Sequence, residues 1–250
     1  MREIRKFFTI EENKPLNAKT WALRLKGDIS EISASGQFVN IAIPNKFLRR
    51  PISVSRYYTK ERDLYLLYNV VGEGTLILSG MKPGQELDLL VGLGNGFSIP
   101  EDILHPVLLG GGIGAAPLFQ LAYDLMLNGI KPQVVLGYNS AKDSWGMEKD
   151  LREIGITCYV ATVDGSLGTK GFVTDVIKEK NISFDYFYAC GPLPMLKALM
   201  ELPTEGELSL ECRMGCGFGA CMCCSLETLK GAKRICKDGP VFKKSELLWK

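Results

Sequence analysis

With 250 residues, 46% of them apolar and 23% charged, the chain is long enough for two ordinary domains and an appendage, and its balance excludes a disordered or fibrous polymer. A formal net charge of +2 gives no reason to expect nucleic acid or an anionic membrane as the main partner. The start, MREIRKFFTI, turns polar before an apolar core can form, and the apolar stretch from Val107 to Phe119 is broken by glycines and a proline. Neither a signal peptide nor a bilayer span is therefore expected, and the chain is expected in the cytoplasm.

The first hundred residues read as mostly β. Thr20–Leu25, Gly36–Ile43, Ile52–Arg56, Asp63–Val71 and Glu86–Val91 are short apolar or alternating runs punctuated by Gly, Pro and Asn, as an antiparallel barrel or sandwich requires. Thr75–Leu78 predicts a helical turn beside them. From about Ile103 the rhythm becomes strand, glycine loop, helix. PVLLG leads into GGIGAA and a helix over PLFQLAYDLMLNG, with Pro117 in its first turn and Gly129 just past its end. VVLGYNS, a helix near Glu148–Ile154, TCYVATVDG, a helix over Val173–Glu179 and FDYFYACG continue an alternating pattern. That pattern implies a parallel sheet with ligand sites beyond the carboxyl ends of its strands. The last forty residues, dense in Cys and Gly, predict a unit held by something other than a hydrophobic core. The expected organisation is a β domain over residues 1–100, an α/β domain over 101–208 and a small cysteine-rich domain over 209–250.

Histidine is scarce: His105 stands alone, which argues against a His-based catalytic triad or metal site, and no catalytic side chain is nominated. Cysteine is abundant, with six of eight between Cys212 and Cys236. Cys216, Cys221 and Cys224 stand as C-x4-C-x2-C with Cys236 further on, the plant-type ferredoxin spacing for a [2Fe–2S] cluster. Four thiolates must converge on a small cluster, so the chain between the first three must wrap tightly. Gly217 and Gly219 allow the positive φ angles this needs, and loop N–H groups can then point at sulfur. Zinc remains an alternative, because Cys212, Cys216, Cys221 and Cys224 also supply four sulfurs.

Two further segments suggest nucleotides. Arg50-Pro51-Ile52-Ser53 heads a strand, where the Arg fork suits a pyrophosphate and the Ser a flavin ring nitrogen. Gly72-Glu73-Gly74-Thr75 opens a possible helix whose free N–H groups suit a phosphate. Gly110-Gly111-Gly112-Ile113-Gly114-Ala115, between a strand and a helix, fits phosphate binding, with Gly110, Gly112 and Ala115 as G-x-G-x-x-A. No acidic residue and no arginine ends the next strand, which closes on Gly137-Tyr138-Asn139-Ser140; this departs from a standard dinucleotide site and weakly favours NAD over NADP. Cys190-Gly191-Pro192 ends the last strand with a tight turn that a nicotinamide ring can approach.

Barrel, nucleotide domain and cluster occur in that order in the ferredoxin-NADP reductase superfamily. Within it RPIS, GEGT, LGNGF, GGGIGAAP, TVDGS, ACGP, the cysteine spacing and KDGPVF closely resemble the electron-transfer subunits of class 1B dihydroorotate dehydrogenases, over essentially the whole chain. The resemblance implies an FAD-binding barrel, an NAD-binding domain and a cluster facing an FMN-containing catalytic subunit, two of each in a heterotetramer. Electrons from dihydroorotate oxidation, a step of pyrimidine biosynthesis, pass through FMN, cluster and FAD to NAD⁺. It implies FAD contacts at Arg50, Pro51, Ile52 and Ser53, at Leu67, Tyr68 and Asn69, and at Gly74 and Thr75, with Cys216, Cys221, Cys224 and Cys236 on iron. Ile52 departs from a superfamily Tyr, and Asn69 from a residue often basic in relatives. Similar small subunits serve ferredoxin-linked transhydrogenases and hydrogenases, the alternative partner class, and a colourless zinc-stapled regulator is the non-enzymatic alternative.

Overall fold

A computed structural model describes residues 4–249. Six strands close a barrel: β1 (Arg5–Pro15), β2 (Thr20–Gly27), β3 (Phe38–Ile41), β4 (Arg50–Tyr58), β5 (Asp63–Asn69) and β6 (Glu86–Leu93), in the order β1-β2-β5-β4-β3-β6, with β6 pairing back onto β1. All the pairings are antiparallel. Alternation puts Leu23 and Leu25, Leu64 and Leu66, and Leu87, Leu89 and Val91 into the lumen, where each is fully or almost fully buried. Burial of a Leu or Val side chain contributes about 1.5–3 kcal/mol relative to exposure, so this shared interior is what closes the barrel. Strand β1 was not expected. Its inward face carries only Phe8 and Ile10 within a charged run, RKFFTIEENKP, so the two-residue period is masked.

Helix α1 (Glu73–Gly80) follows β5, longer than the turn expected over Thr75–Leu78. The second layer is a seven-stranded sheet. It contains β7 (Pro106–Gly111), β8 (Gln133–Tyr138), β9 (Thr157–Thr162), β10 (Thr169–Lys170), β11 (Tyr186–Cys190), β12 (Gly206–Ser209) and β15 (Val241–Lys243). The order is β10-β9-β8-β7-β11-β12-β15, parallel except for β15, which runs antiparallel to β12. The chain steps from β7 to β8 on one side and returns to β11 on the other. The β7–β11 boundary is therefore a topological switch point, where the loops leave in opposite directions and open a crevice.

Helices α2 (Leu118–Leu127) and α3 (Met147–Glu153) contribute to the core on one face of this sheet, α4 (Val173–Glu179) and α5 (Leu193–Leu199) to the core on the other. Helix α4 matches the sequence reading residue for residue, whereas α5 was missed because Pro192 and Pro194 bracket its start. A 3₁₀ turn over Gly112–Ala115 links β7 to α2, and Gly129 past the end of α2 has φ +76°.

The tail departs from its reading. It forms a hairpin of β13 (Ser225–Thr228) and β14 (Gly231–Arg234), but Cys224, Ile235, Cys236, Phe242 and Leu247 are buried in the same core as Val107, Leu109 and Phe187. Phe38 and Leu93 of the barrel join this core too. The apolar positions are spread too thinly along the tail to show a period, yet together they pack.

Candidate functional site

A cavity of about 420 Å³ lies where the barrel meets the crevice. Lys19, Thr20 and Asn69 line it from the barrel; Gly111, Gly112, Tyr138, Trp145, Phe172 and Pro192 are among those lining it from the sheet's carboxyl end. Of the residues expected to bind nucleotide, Asn69 and Gly112 therefore reach the cavity directly. Gly114 acts one layer back: a Cβ there would stand 2.7 Å from both Cα and N of Gly191, so the two glycine turns lie backbone to backbone across the switch point. Gly110 is likewise a packing glycine, with Ala115 Cβ 2.7 Å from where its own Cβ would stand. The Cys190 thiol is buried in the core, and that burial pushes its pKa up to about 12, so only its main chain is available to a ligand.

Asp143, Trp145 and Phe172 were missed. The acidic residue looked for at the end of β8 arrives further along, on a 3₁₀ turn over Ala141–Asp143. Asp143 Oδ2 accepts from the backbone N–H of Ser140 at 3.2 Å, and its Oδ1 pairs with Lys19 Nζ at 2.8 Å. The Lys19 hydrogen bond, followed by the smaller charge and Ser140 contributions, outweighs burial and holds this carboxyl below the usual carboxylate range. Trp145 packs edge-on to Tyr138 at 5.3 Å, giving the cavity an aromatic wall. A tryptophan beside Gly146 and a phenylalanine beside Gly171 were the available signals.

The flavin segment is assembled from β4, β5 and the start of α1. Arg50 crosses to α1, where a Cβ on Gly74 would stand 2.5 Å from its Nε; Gly74 leaves room for the guanidinium at the helix start. Arg50 also donates to the Leu48 carbonyl at 2.6 Å, which fixes the fork. Thr75 Oγ1 accepts from the backbone N–H groups of Val71 at 3.0 Å and Gly72 at 3.2 Å, shaping the loop rather than projecting from it. Register places Pro51 opposite Asn40 and Ser53 opposite Phe38, on the outer face of the barrel, while Ile52 opposes Val39 on the lumen side. Leu67 and Asn69 are half-exposed, and Thr20 Oγ1 donates to Asn69 Oδ1 at 2.8 Å, orienting the amide. Tyr68 is turned into the barrel; its hydroxyl donates to Asn13 Oδ1 at 2.9 Å, and Asn13 in turn donates to the Leu78 and Met81 carbonyls at the end of α1. Its side chain thus mounts the helix, leaving only its main chain available to a ligand.

The four nominated cysteines come together as two pairs. Cys216 and Cys221 interlock: the N–H of Cys221 points at Cys216 Sγ at 3.4 Å, and that of Cys216 at Cys221 Sγ at 3.4 Å. Cys224 and Cys236 stand with sulfurs 3.2 Å apart, and the Cys236 N–H points at Cys224 Sγ at 3.4 Å. Burial opposes ionisation of Cys216, but the N–H groups of Phe218, Cys221 and Ala220 outweigh it and bring the thiol down to about 6. Gly217 and Gly219 have φ +79° and +90°, as the wrapping loop demands. Among the described residues no three Cys, His, Asp or Glu side chains converge on one point, as a single-ion site needs. Two thiol pairs instead offer two thiolates to each of two metal positions, so the residues present would fit a [2Fe–2S] group. Of the two spare thiols, Cys223 is exposed and Cys212 packs at the margin of the core. Behind the loop, Arg234 donates to the Gly219 carbonyl at 2.9 Å and pairs with Asp238 at 3.1 Å. The LGNGF and KDGPVF segments meet: Asn95 Oδ1 accepts from Val241 N–H at 3.0 Å, and Asn95 N–H donates to the Gly239 carbonyl at 2.6 Å.

A six-stranded barrel beside a sheet with this switch point, carrying a two-pair cysteine loop, defines a reductase of the ferredoxin reductase type with an iron–sulfur appendage. The chain superposes on the structure of an NADH-dependent reduced ferredoxin-NADP oxidoreductase with a TM-score of 0.87 and 30% identity, over 97% of this chain and 90% of that one. A ferredoxin NADP⁺ reductase from Neisseria gonorrhoeae with bound FAD and NADP shares the fold alone, with a TM-score of 0.66 and 17% identity over 78% of this chain and 89% of that one. Residues 211–248 match the iron-sulfur cluster binding domain of dihydroorotate dehydrogenase B. The chain is 44% identical to the dihydroorotate dehydrogenase B (NAD(+)) electron transfer subunit of Fusobacterium nucleatum subsp. nucleatum, over 96% of each chain. It is 44% identical to the corresponding subunit of Geobacillus sp. strain WCH70, over 96% of this chain and 97% of that one. It belongs to the family of dihydroorotate dehydrogenase B electron transfer subunits.

Proposed function

We propose that this chain passes electrons between an FMN-containing subunit that oxidises dihydroorotate to orotate and NAD⁺, using a [2Fe–2S] cluster and FAD. The observation that carries this reading is the pairing of Cys216 with Cys221 and of Cys224 with Cys236 beside the barrel strands that present Arg50 and Ser53. When bound, the cluster supplies one-electron steps, and FAD converts these to the hydride that nicotinamide accepts.

The chain's own residues do the rest. Cys216, Cys221, Cys224 and Cys236 hold the irons, and the loop N–H groups stabilise charge on sulfur. The Arg50 fork and the free N–H groups at the start of α1 grip the pyrophosphate of FAD. Pro51, Ile52 and Ser53, with Leu67, Tyr68 and Asn69 on the adjacent strand, form the strand platform for the ring. Gly74 clears the path for Arg50, and Thr75 holds the loop. Gly110, Gly112 and Gly114 shape the turn that admits the NAD phosphates, and Cys190 and Gly191 offer main chain to the nicotinamide. No side chain is assigned as an acid or base. The mature assembly is a cytoplasmic heterotetramer, two of each subunit, without nucleic acid or membrane as partner; among the described residues no helix is long and apolar enough to cross a membrane.

The test is anaerobic purification with and without the partner. The chain is expected to carry flavin bands and a broad shoulder to the red, and to pass electrons from NADH to a dye. Cys224→Ser is expected to remove the shoulder and leave the flavin. A colourless protein, or copurification with a ferredoxin-linked flavoprotein in place of an FMN subunit, would overturn the reading.

A further inference from the structure

The loop of the first three cysteines is tied to the barrel by one buried amide. Asn40 lies on β3, is 1% exposed, and donates from Nδ2 to the Cys216 carbonyl at 3.1 Å. The next residue of the loop, Gly217, is moulded around the same amide: a Cβ there would stand 2.4 Å from Asn40 Nδ2. Asn40 is firmly mounted. Its own carbonyl accepts from Arg49 at 3.2 Å, and Arg49 also donates to the Asp88 carbonyl at 2.9 Å and pairs with the Asp88 carboxylate at 2.8 Å, locking β3 to β6. On its other side β3 pairs with β4, with Asn40 directly opposite Pro51. One residue therefore spans from the backbone of a cluster ligand to the strand that carries Arg50 and Ser53.

The choice of residue is informative. Asn40 Oδ1 is buried without a hydrogen-bond partner. A half-satisfied amide in a sealed interface is costly, and an apolar side chain of similar volume would close the same space without that loss. Barrel packing alone gives no reason for an amide here; the bond to Cys216 does.

We propose that Asn40 is the positioning residue that, through the Cys216 backbone, sets the separation between cluster and flavin and so governs the one-electron step between them. The proposal rests on the electron-transfer reading above. Tunnelling rates fall steeply with distance, so a loop released by a fraction of an ångström to an ångström slows this step while leaving hydride transfer at the nicotinamide cavity untouched. In the step itself the flavin loses one electron and one ferric iron becomes ferrous.

The experiment uses the full chain loaded with FAD and cluster, mixed anaerobically with NADH. Loss of the flavin bands is followed separately from the red absorbance and the paramagnetic signal of the reduced cluster. In Asn40→Ala, flavin reduction and iron content are expected to match wild type, while cluster reduction slows several-fold. Asn40→Asp keeps the shape but loses the donor, and is expected to slow the same step; it serves also where the Ala variant fails to fold. Cluster reduction at the wild-type rate in both variants would overturn the proposal. So would a parallel loss of iron and of flavin reduction, which would make Asn40 a general structural residue. If NADH fails to reduce the cluster of the wild-type chain at all, the electron-transfer reading falls, and the proposal with it.

Discussion

The guanidinium of Arg50 lies against the α-carbon of Gly74, so a strand end and a helix start share one positively charged corner of the barrel. Neither residue is adjacent to the other in sequence or in the sheet, and the contact leaves no room for a methyl group, since a Cβ on Gly74 would stand 2.5 Å from Arg50 Nε. Gly74→Ala is expected to push the fork aside and weaken FAD binding about tenfold or more, roughly 1.4 kcal/mol. The measurement is flavin retained through gel filtration; far-ultraviolet dichroism should be unchanged, because Ala favours a helix more than Gly does.

Gly114 and Gly191 make a second such contact, across the switch point. Gly114→Ala inserts a methyl 2.7 Å from the Gly191 backbone, and overpacking of this kind costs about 1–3 kcal/mol. The turn must spread, and the KM for NADH in dye reduction is expected to rise about tenfold. The flavin spectrum should not change. An unchanged KM would show that the nicotinamide does not use this turn.

Spacing separates ligands from bystanders. Cys223 is exposed, with its sulfur 3.9 Å from the Arg213 carbonyl, while Cys212 lies beside Cys224 at the margin of the core but off the cluster spacing. Cys212→Ser and Cys223→Ser are expected to retain about two irons per chain, as a [2Fe–2S] centre requires, and Cys221→Ser to lose them. Iron analysis of anaerobic preparations decides the matter.

Glu207, on β12 between β11 and β15, gives a pH dependence. It is 4% exposed, and its carboxylate accepts from the Ser98 N–H at 2.9 Å and from the Ser98 hydroxyl. Burial, the largest influence, raises its pKa above the ordinary 4.5 despite both Ser98 bonds. A carboxyl whose folded pKa is raised favours the native state fully below its unfolded value and loses that contribution as pH climbs through the folded value. Glu207→Gln, which cannot ionise, is therefore expected to raise Tm at about pH 7 and to show no gain near pH 4. Thermal melts of both proteins across that range would test it; a gain that grows toward acid would reverse the assignment.

Much of this molecule was legible before folding because local rules carry it. The cysteine spacing, the glycine turn between β7 and α2, and helix α4 each depend on neighbours within about a dozen residues, and each stands where the chemistry placed it. Strand β1 was not legible, since its two inward residues show their purpose only once five other strands surround them. Asp143, five residues past the end of β8, was invisible for a related reason: a 3₁₀ turn carries it to the cavity mouth.

Sequence by itself determined the kinds of chemistry available: which thiols sit at cluster spacing, which loops can receive phosphate, and the near absence of imidazole. Tertiary structure alone decided which of these groups meet. It sorted the four thiols into two pairs, turned the Tyr68 side chain and the Cys190 thiol into the interior, set Arg50 against Gly74, and drew the tail into the core of the nucleotide domain. The physical reason is that spacing constrains only nearby atoms, whereas burial and side-chain direction depend on surfaces contributed by strands far apart along the chain.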